Sequence, residues 1–181
     1  MTGTMGPGAR ASDAERVLLR RLLATLAYRA AKTLRDAPPG FGDFSSGATT
    51  RTPRQIVAHM GDLMGWGLRM VEGEGTWHAQ GGGDWDHEVR RFFLGLEAFD
   101  QALASHDGEG LRPESLIQGP IADALTHVGQ LAMLRSAAGA PVRPESYARA
   151  AIEVGRVGLD QEPPVFEFQG DASSPRRPDR T

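Results

Sequence analysis

The chain is organised around a helix expected over residues 120–138, where the sequence reads PIADALTHVGQLAMLRSAA. Residues three, four and seven positions apart share one face of an α-helix. By this spacing an acid and an imidazole lie inside an apolar stripe, whose members are Asp123, Ala124, His127, Leu131, Leu134 and Ala138. Burying an acid and an imidazole one turn apart is costly unless another group satisfies them. A divalent metal ion would satisfy both.

Three further helices are predicted by apolar residues at helical spacing, the first two preceded by capping signals and the third opening on the acids Asp84, Asp86 and Glu88. They span residues 12–35, 52–73 and 84–106, the last starting at either Asp84 or Asp86. In the first, the side chains expected to face the core are Leu18, Leu19, Leu22, Leu26 and Ala30. A short fifth helix is expected over residues 144–157, and no stretch alternates as a β-strand does. The predicted fold class is all-α, a four-helix bundle with a short extra C-terminal helix.

The 181 residues are enough for one sizeable core, which is expected between residues 12 and 158. Residues 1–11 are expected to form a flexible tail, and the Gly-rich residues 72–83 a mobile connection. Residues 159–181 are polar and Pro-rich, so they are expected to be extended or disordered. Within them, residues 165–168 are apolar enough to pack on the body of the domain.

Composition excludes several classes of function. The formal net charge of −3 provides no basic surface for nucleic acid or anionic lipid. With no cysteine, the chain has no thiolate nucleophile or ligand of its own, so thiol chemistry needs an external thiol. Residues 1–10 are Gly-rich without the apolar run typical of a signal peptide, and no apolar run approaches the roughly 20 residues that cross a membrane. We therefore expect a cytoplasmic protein, and the arginine-rich composition with Lys32 as its one lysine suggests a GC-rich bacterial genome.

A second imidazole, His59, lies near the middle of the apolar stripe of the second helix, with Asp62 at its flank. If this helix faces the one over residues 120–138, His59, Asp123 and His127 converge inside the bundle. Two histidines and one carboxylate form an open metal site, with coordination positions left for water or substrate. The same side chains also suit a structural role, in which Asp123 accepts a hydrogen bond from a histidine or pairs with Arg29. Spacing alone favours that structural role, because ion-pair networks also gather ionisable groups.

Two segments carry a resemblance to a known family: THVGQLAMLR at residues 126–135 and IVAHMGDL at residues 56–63. They resemble the DinB-like superfamily, which includes the YfiT-type bundles. Its members share a four-helix bundle in which a His of the second helix and an H-x-x-x-H pair of the fourth hold a metal ion. His59 and His127 match two of these ligands. In the family, the second His of the pair commonly precedes x-G-Q, and here His127 precedes Val128, Gly129 and Gln130. Asp123 stands where the first His of the pair is usual.

The resemblance implies a metal-dependent enzyme of transferase, isomerase or hydrolase type, acting on a small molecule and forming a homodimer. The ion, which could be Zn, Ni, Fe or Mn, would be held by His59, Asp123 and His127. It would polarise a substrate oxygen, or activate water or an external low-molecular-weight thiol. The carboxylate at position 123 would shift selectivity toward harder metals. The rival interpretation is a non-catalytic bundle with a structural or vestigial metal site, or a small-ligand pocket.

Four further side chains are candidates for supporting roles. Gln130, close to His127 on its helix, could orient a ligand or a bound water, or make a helix contact. Asp62 could be a general base, a partner of His59 or a surface acid. Trp66 and Arg29 could line a substrate pocket, in which Arg29 would bind a carboxylate of the substrate. For Trp66 core packing is the favoured interpretation, and for Arg29 a solvated position.

Overall fold

The body of the protein is a bundle of four long α-helices, seen in a computed structural model that describes residues 10–168. The helices are α1 (Asp13–Leu34), α2 (Pro53–Val71), α3 (Trp85–Ser105), a short α4 (Pro113–Leu116) and α5 (Ala122–Ala137). Within residues 10–168 there is no β-strand, so the predicted all-α class is confirmed. The outer parts of the predicted tails, residues 1–9 and 169–181, lie outside the described residues.

The first three long helices begin where the sequence predicted, each after a capping residue. In α1, the Ser12 hydroxyl accepts a hydrogen bond from the Glu15 amide, and the Glu15 carboxylate accepts one from the Ser12 amide. Thr52 and Gln55 make the same reciprocal pair before α2. Asp84 caps α3 by accepting a hydrogen bond of 2.8 Å from the His87 amide. These bonds satisfy amides that the first helical turn leaves unpaired.

The buried face of α1 differs from the prediction at one position. Leu18 is exposed, whereas Leu19, Leu23 and Leu26 are fully buried. The sequence has adjacent leucine pairs at 18–19 and 22–23, so helical spacing alone permits two overlapping faces. The packing of α1 against both α3 and α5 selects the face that contains Leu23.

The helix predicted over residues 120–138 is preceded by a π-turn, Ile117–Ile121, which joins α4 to α5. The sequence predicted that the helix starts at Pro120, but helical structure already begins at Pro113, the first residue of α4. Pro120 has no amide hydrogen to donate to the preceding turn, and Gly119 departs from helical geometry with φ −85° and ψ −105°. A Cβ at Gly119 would lie 3.0 Å from the ring of Trp66, so the bulge is closely packed on α2.

The predicted fifth helix over residues 144–157 is wrong, because only a 3₁₀ turn, Tyr147–Arg149, forms there. The Ser146 amide donates to the Phe166 carbonyl, and the Phe168 amide donates to the Pro144 carbonyl, at 3.1 and 2.8 Å. The start of the segment therefore pairs with residues 166–168 instead of coiling. Residues 166–168 are held to the body by these bonds and by the ion pair of Glu167 with Lys32, whereas Val165 and Phe168 stay exposed. None of the helices within the described range is long and apolar enough to cross a membrane.

Candidate metal centre

Three side chains that could hold a metal ion meet between α2 and α5. His59 comes from α2, and Asp123 and His127 come from adjacent turns of α5. Their candidate ligand atoms all lie within 4.8 Å of one another. The Nε2 atom of His59 lies 3.4 Å from Asp123 Oδ2, and that of His127 lies 3.3 Å from Asp123 Oδ1. The two imidazole rings stand almost perpendicular, with centroids 4.9 Å apart.

The hydrogen bond to Gln130 decides which nitrogen of His127 is free. Gln130 Oε1 lies 2.7 Å from His127 Nδ1, so in a neutral imidazole the proton is on Nδ1 and is donated to the amide oxygen. The Nε2 lone pair of His127 then points toward Asp123 Oδ1, which is also an acceptor. A cation placed between them would satisfy both, whereas a hydrogen bond would require protonation of the ring.

The imidazole–carboxylate distances can be compared with those of a direct hydrogen bond and of a shared metal ion. A charge-assisted N–H···O bond is roughly 2.7–2.9 Å long, shorter than either imidazole–carboxylate distance here. Two N or O ligands bound tetrahedrally to zinc at about 2.0–2.1 Å lie roughly 3.3–3.4 Å from each other. The two separations of 3.4 and 3.3 Å are close to that edge, but each involves a different oxygen of Asp123, and the three candidate ligand atoms lie within 4.8 Å of one another. Two imidazole nitrogens and a carboxylate oxygen are donors that suit a divalent ion.

The cluster is open toward solvent on one side. The side chains of His127, His59 and Asp123 are 9%, 24% and 45% exposed. His59 lines one cavity of about 470 Å³, and His127 lines a second of about 390 Å³. Arg51, just before α2, lines both. A closed structural site has four protein ligands, so the exposed carboxylate and the adjacent cavities are typical of a site that admits small molecules.

Trp77 covers part of His59, a contact that helical spacing could not reveal because Trp77 lies in the Gly-rich connection. Its ring centroid is 5.6 Å from that of His59 and 5.9 Å from that of Trp66. Trp66 itself donates from its indole nitrogen to the Gly75 carbonyl at 2.9 Å. Trp66 thus supports the loop that carries Trp77, and it lines neither of the two cavities beside the histidines.

Asp62 is not a surface acid but a buried anchor for the same connection. Its Oδ1 accepts hydrogen bonds from the Gln80 amide at 2.9 Å and from Arg91 Nη1 at 2.8 Å. Arg91 also donates to Glu88, which accepts from the amides of residues 82 and 83. Residues 72–83, which the sequence suggested would be mobile, are therefore held to α2 and α3 at several points. Asp62 also lines the cavity beside His59, but its Oδ1 is engaged by Gln80 and Arg91.

Glu88 gives this anchorage a pH dependence. Burial alone would raise the pKa of Glu88, but hydrogen bonds from Gly82, Arg91 and Gly83 outweigh it and hold the pKa below its ordinary value. The stabilisation is thus present above the ordinary carboxyl pKa and is lost as pH falls through the lowered value. We expect Glu88→Gln to lower the free energy of unfolding by about 1.5–3 kcal/mol at neutral pH, the value of hydrogen bonds to a charged group.

This prediction is checked by urea unfolding of parent and variant across a pH series, followed by tryptophan fluorescence. The difference between them should shrink as the medium becomes acidic. Glu97→Gln is the matched control, since Glu97 is exposed on the same helix. A Glu88→Gln difference that stays constant with pH would contradict the assignment.

Arg29 lies away from the cluster. Its guanidinium carbon is 4.4 Å from the centroid of the Tyr147 ring. It lines neither cavity beside the histidines. Within the described part of the chain, the ion-pair partners of Asp123 are the two histidines, so the alternative pair with Arg29 does not form.

Comparison with known proteins reveals no relatives: no family model, curated protein or solved structure matches this chain. The DinB-like resemblance therefore stays a prediction. The structure itself establishes an all-α bundle with a His59–Asp123–His127 cluster that could hold a metal ion.

Proposed function

We propose that this protein is a metal-dependent enzyme of the DinB-like type, with a divalent ion held by His59, Asp123 and His127. One observation carries the proposal. Gln130 accepts the Nδ1 proton of His127, so the Nε2 lone pair faces an Asp123 oxygen 3.3 Å away. Two converging acceptors repel each other unless a cation or an added proton lies between them.

The side chains around the ion would have distinct tasks. Gln130 holds His127 in the tautomer that leaves Nε2 free, as hydrogen-bonded partners of metal-ligating histidines commonly do. Trp77 shields one face of His59 from water, while the exposed side of Asp123 leaves an approach for a small molecule. A bound divalent ion would act as a Lewis acid toward water, an external thiol or a substrate oxygen. These chemistries correspond to hydrolase, transferase or isomerase activity.

The carboxylate ligand bears on the identity of the ion. Two neutral imidazoles and one carboxylate leave a net charge of about +1 on a divalent centre, against about +2 with three imidazoles. Nitrogen and oxygen ligands without sulfur suit Zn, Ni, Fe or Mn, and the carboxylate favours the harder members of that set. Metal selectivity is therefore expected to differ from that of a three-histidine site.

Elemental analysis of protein purified without metal-affinity resin tests the proposal. We expect about one divalent ion per chain in the parent, and loss of nearly all of it in His59→Ala, Asp123→Asn and His127→Ala. His87→Ala is the control, because His87 is an exposed histidine outside the cluster and caps through its backbone amide. A parent that stays metal-free after incubation with Zn²⁺, Ni²⁺, Fe²⁺ and Mn²⁺ would refute the metal centre.

Catalysis needs its own test. Metal-loaded parent should accelerate transfer of a low-molecular-weight thiol to an electrophile, or hydrolysis of an activated ester or amide, relative to His127→Ala. A loaded parent no faster than that variant with either set of substrates would favour a non-catalytic bundle.

A homodimer stays a prediction. Val17 and Leu18 are exposed on neighbouring positions of α1 and provide an apolar surface for it. Light scattering after size exclusion would measure the mass, and a monomer at all concentrations would rule the dimer out.

A further inference from the structure

The cavity beside His127 combines an apolar wall with a polar end. Ile56 of α2 and Leu134 of α5 are buried in its wall, and Met133 borders it with 65% of its surface exposed. Methionine is flexible and polarisable, which suits a wall that adapts to a ligand. The volume of about 390 Å³ falls within the range of small-molecule sites. The wall could bury the apolar part of a small ligand, such as one aromatic ring or one branched alkyl chain.

Arg51, an exposed arginine, also lines the cavity and has no counterion within residues 10–168. Arg51 forms no hydrogen bond or ion pair with the side chains or backbone of residues 10–168, whereas its neighbour Arg54 is bound to Asp43 at 2.9 Å. Ser46 and Thr50 also line the cavity; the Ser46 hydroxyl donates to that of Thr50, which donates to the Gly47 carbonyl. The planar fork of an arginine guanidinium is suited to a carboxylate.

The position of Arg51 links this end to the metal centre. Arg51 lines the cavity of His127 and also that of His59. A divalent centre with a single carboxylate ligand would add a further positive charge to the same surface. Both charges favour an anionic ligand over a neutral or cationic one. Arg29, for which the sequence suggested carboxylate binding, lies against Tyr147 instead.

We propose that this cavity binds a small monocarboxylate with an aromatic or branched apolar body. The carboxylate pairs with Arg51, and the body packs against Ile56, Met133 and Leu134. The inference rests on the proposed function, because it treats the cavity as the substrate side of the metal centre. It assigns that centre a substrate class: aryl or branched-chain carboxylic acids.

Calorimetric titration with phenylacetate tests the assignment, with phenylacetamide as its uncharged counterpart. Both titrations use the full chain, first metal-free and then loaded with zinc. We expect phenylacetate to bind one molecule per chain, and the amide to bind at least about tenfold more weakly, because a hydrogen-bonded charge pair is lost. Arg51→Gln should weaken phenylacetate binding to a similar extent. Met133→Glu should do so as well, because it places a like charge at the cavity.

The matched control is Arg90→Gln, which removes the same charge from an exposed arginine of α3 and should leave binding unchanged. Absence of phenylacetate binding, equal binding of the amide, or an Arg51→Gln affinity equal to the parent's would each overturn the inference. If metal analysis finds a stoichiometric ion but phenylacetate does not bind, the inference fails and the metal centre stands. If Arg51-dependent binding occurs in a chain that never holds an ion, the cavity assignment stands and the metal centre fails.

Discussion

Lys32→Met is expected to lower the free energy of unfolding by about 3–5 kcal/mol, the usual cost of removing one partner of a buried ion pair. The Lys32 ammonium lies 2.7 Å from Glu145 and 2.6 Å from Glu167. The side chain of Glu145 is fully buried, and its other oxygen accepts a hydrogen bond of 2.7 Å from the Tyr28 hydroxyl. Without Lys32, the Glu145 carboxylate would be buried with one neutral donor. Urea unfolding measured by circular dichroism gives the change.

The pH dependence of this pair follows from the pKa of Lys32. Burial alone would lower it, but the hydrogen bonds to Glu145 and Glu167 outweigh burial and hold it above its ordinary value. A raised pKa means that the stabilisation is complete below the ordinary lysine pKa and is lost as pH rises through the folded-state value. The difference between parent and Lys32→Met should therefore persist at neutral pH and diminish only in alkaline solution.

Two further variants separate the buried pair from general charge effects. Arg143→Met removes a cation 3.9 Å from the same Glu167, but its side chain is 77% exposed, so a change below about 1 kcal/mol is expected. The double variant Lys32→Met with Glu145→Gln should recover part of the loss, because no uncompensated charge stays buried. A Lys32→Met variant as stable as Arg143→Met would disprove the role of the pair.

Gln130→Leu is expected to weaken binding of a divalent ion by about 10–100-fold, the usual effect of removing a hydrogen-bond partner of a ligating histidine. With Leu at position 130, Nδ1 of His127 loses its acceptor. The ring can then carry its proton on Nε2 and donate it to Asp123, which competes with the ion. Competition with a chelating dye measures the zinc affinity of parent and variant.

Gln130→Glu should restore most of the affinity, because a carboxylate oxygen also accepts the Nδ1 proton. This rescue distinguishes a positioning role from a purely structural one. Gln101→Leu on α3 is the control for the loss of an exposed glutamine and should bind zinc as the parent does. If Gln130→Leu matched the parent in zinc affinity, Gln130 would have no part in the metal centre.

The helical framework could be predicted because its signals are local. Ser12 with Glu15, Thr52 with Gln55, and Asp84 each satisfy amides within a few residues along the chain. Apolar spacing then identifies which residues share a face. The same rules placed His59 on one helix and His127 on another, both toward the interior, before any contact between the helices was known.

Features that depend on long-range contacts could not be predicted in this way. Whether Leu18 or Leu23 is buried depends on how α1 meets α3 and α5. The segment over residues 144–157 has an acceptable helical pattern, yet its first amides and carbonyls pair with residues 166–168. Such a segment can either form a helix or pair with residues far away in sequence. Tertiary packing decides between the two, and helical spacing does not describe that packing.

Local chemistry along the chain thus determined the all-α class, the starts of the first three long helices and the residue types that could bind an ion. Only the tertiary structure decided that Asp123 lies within 3.3–3.4 Å of both imidazoles, that Trp77 covers His59, and that Arg51 borders the cavities while Arg29 does not. The physical reason is that capping and periodicity act within a few residues. A binding site, in contrast, is set by the register and rotation of helices that lie far apart in sequence.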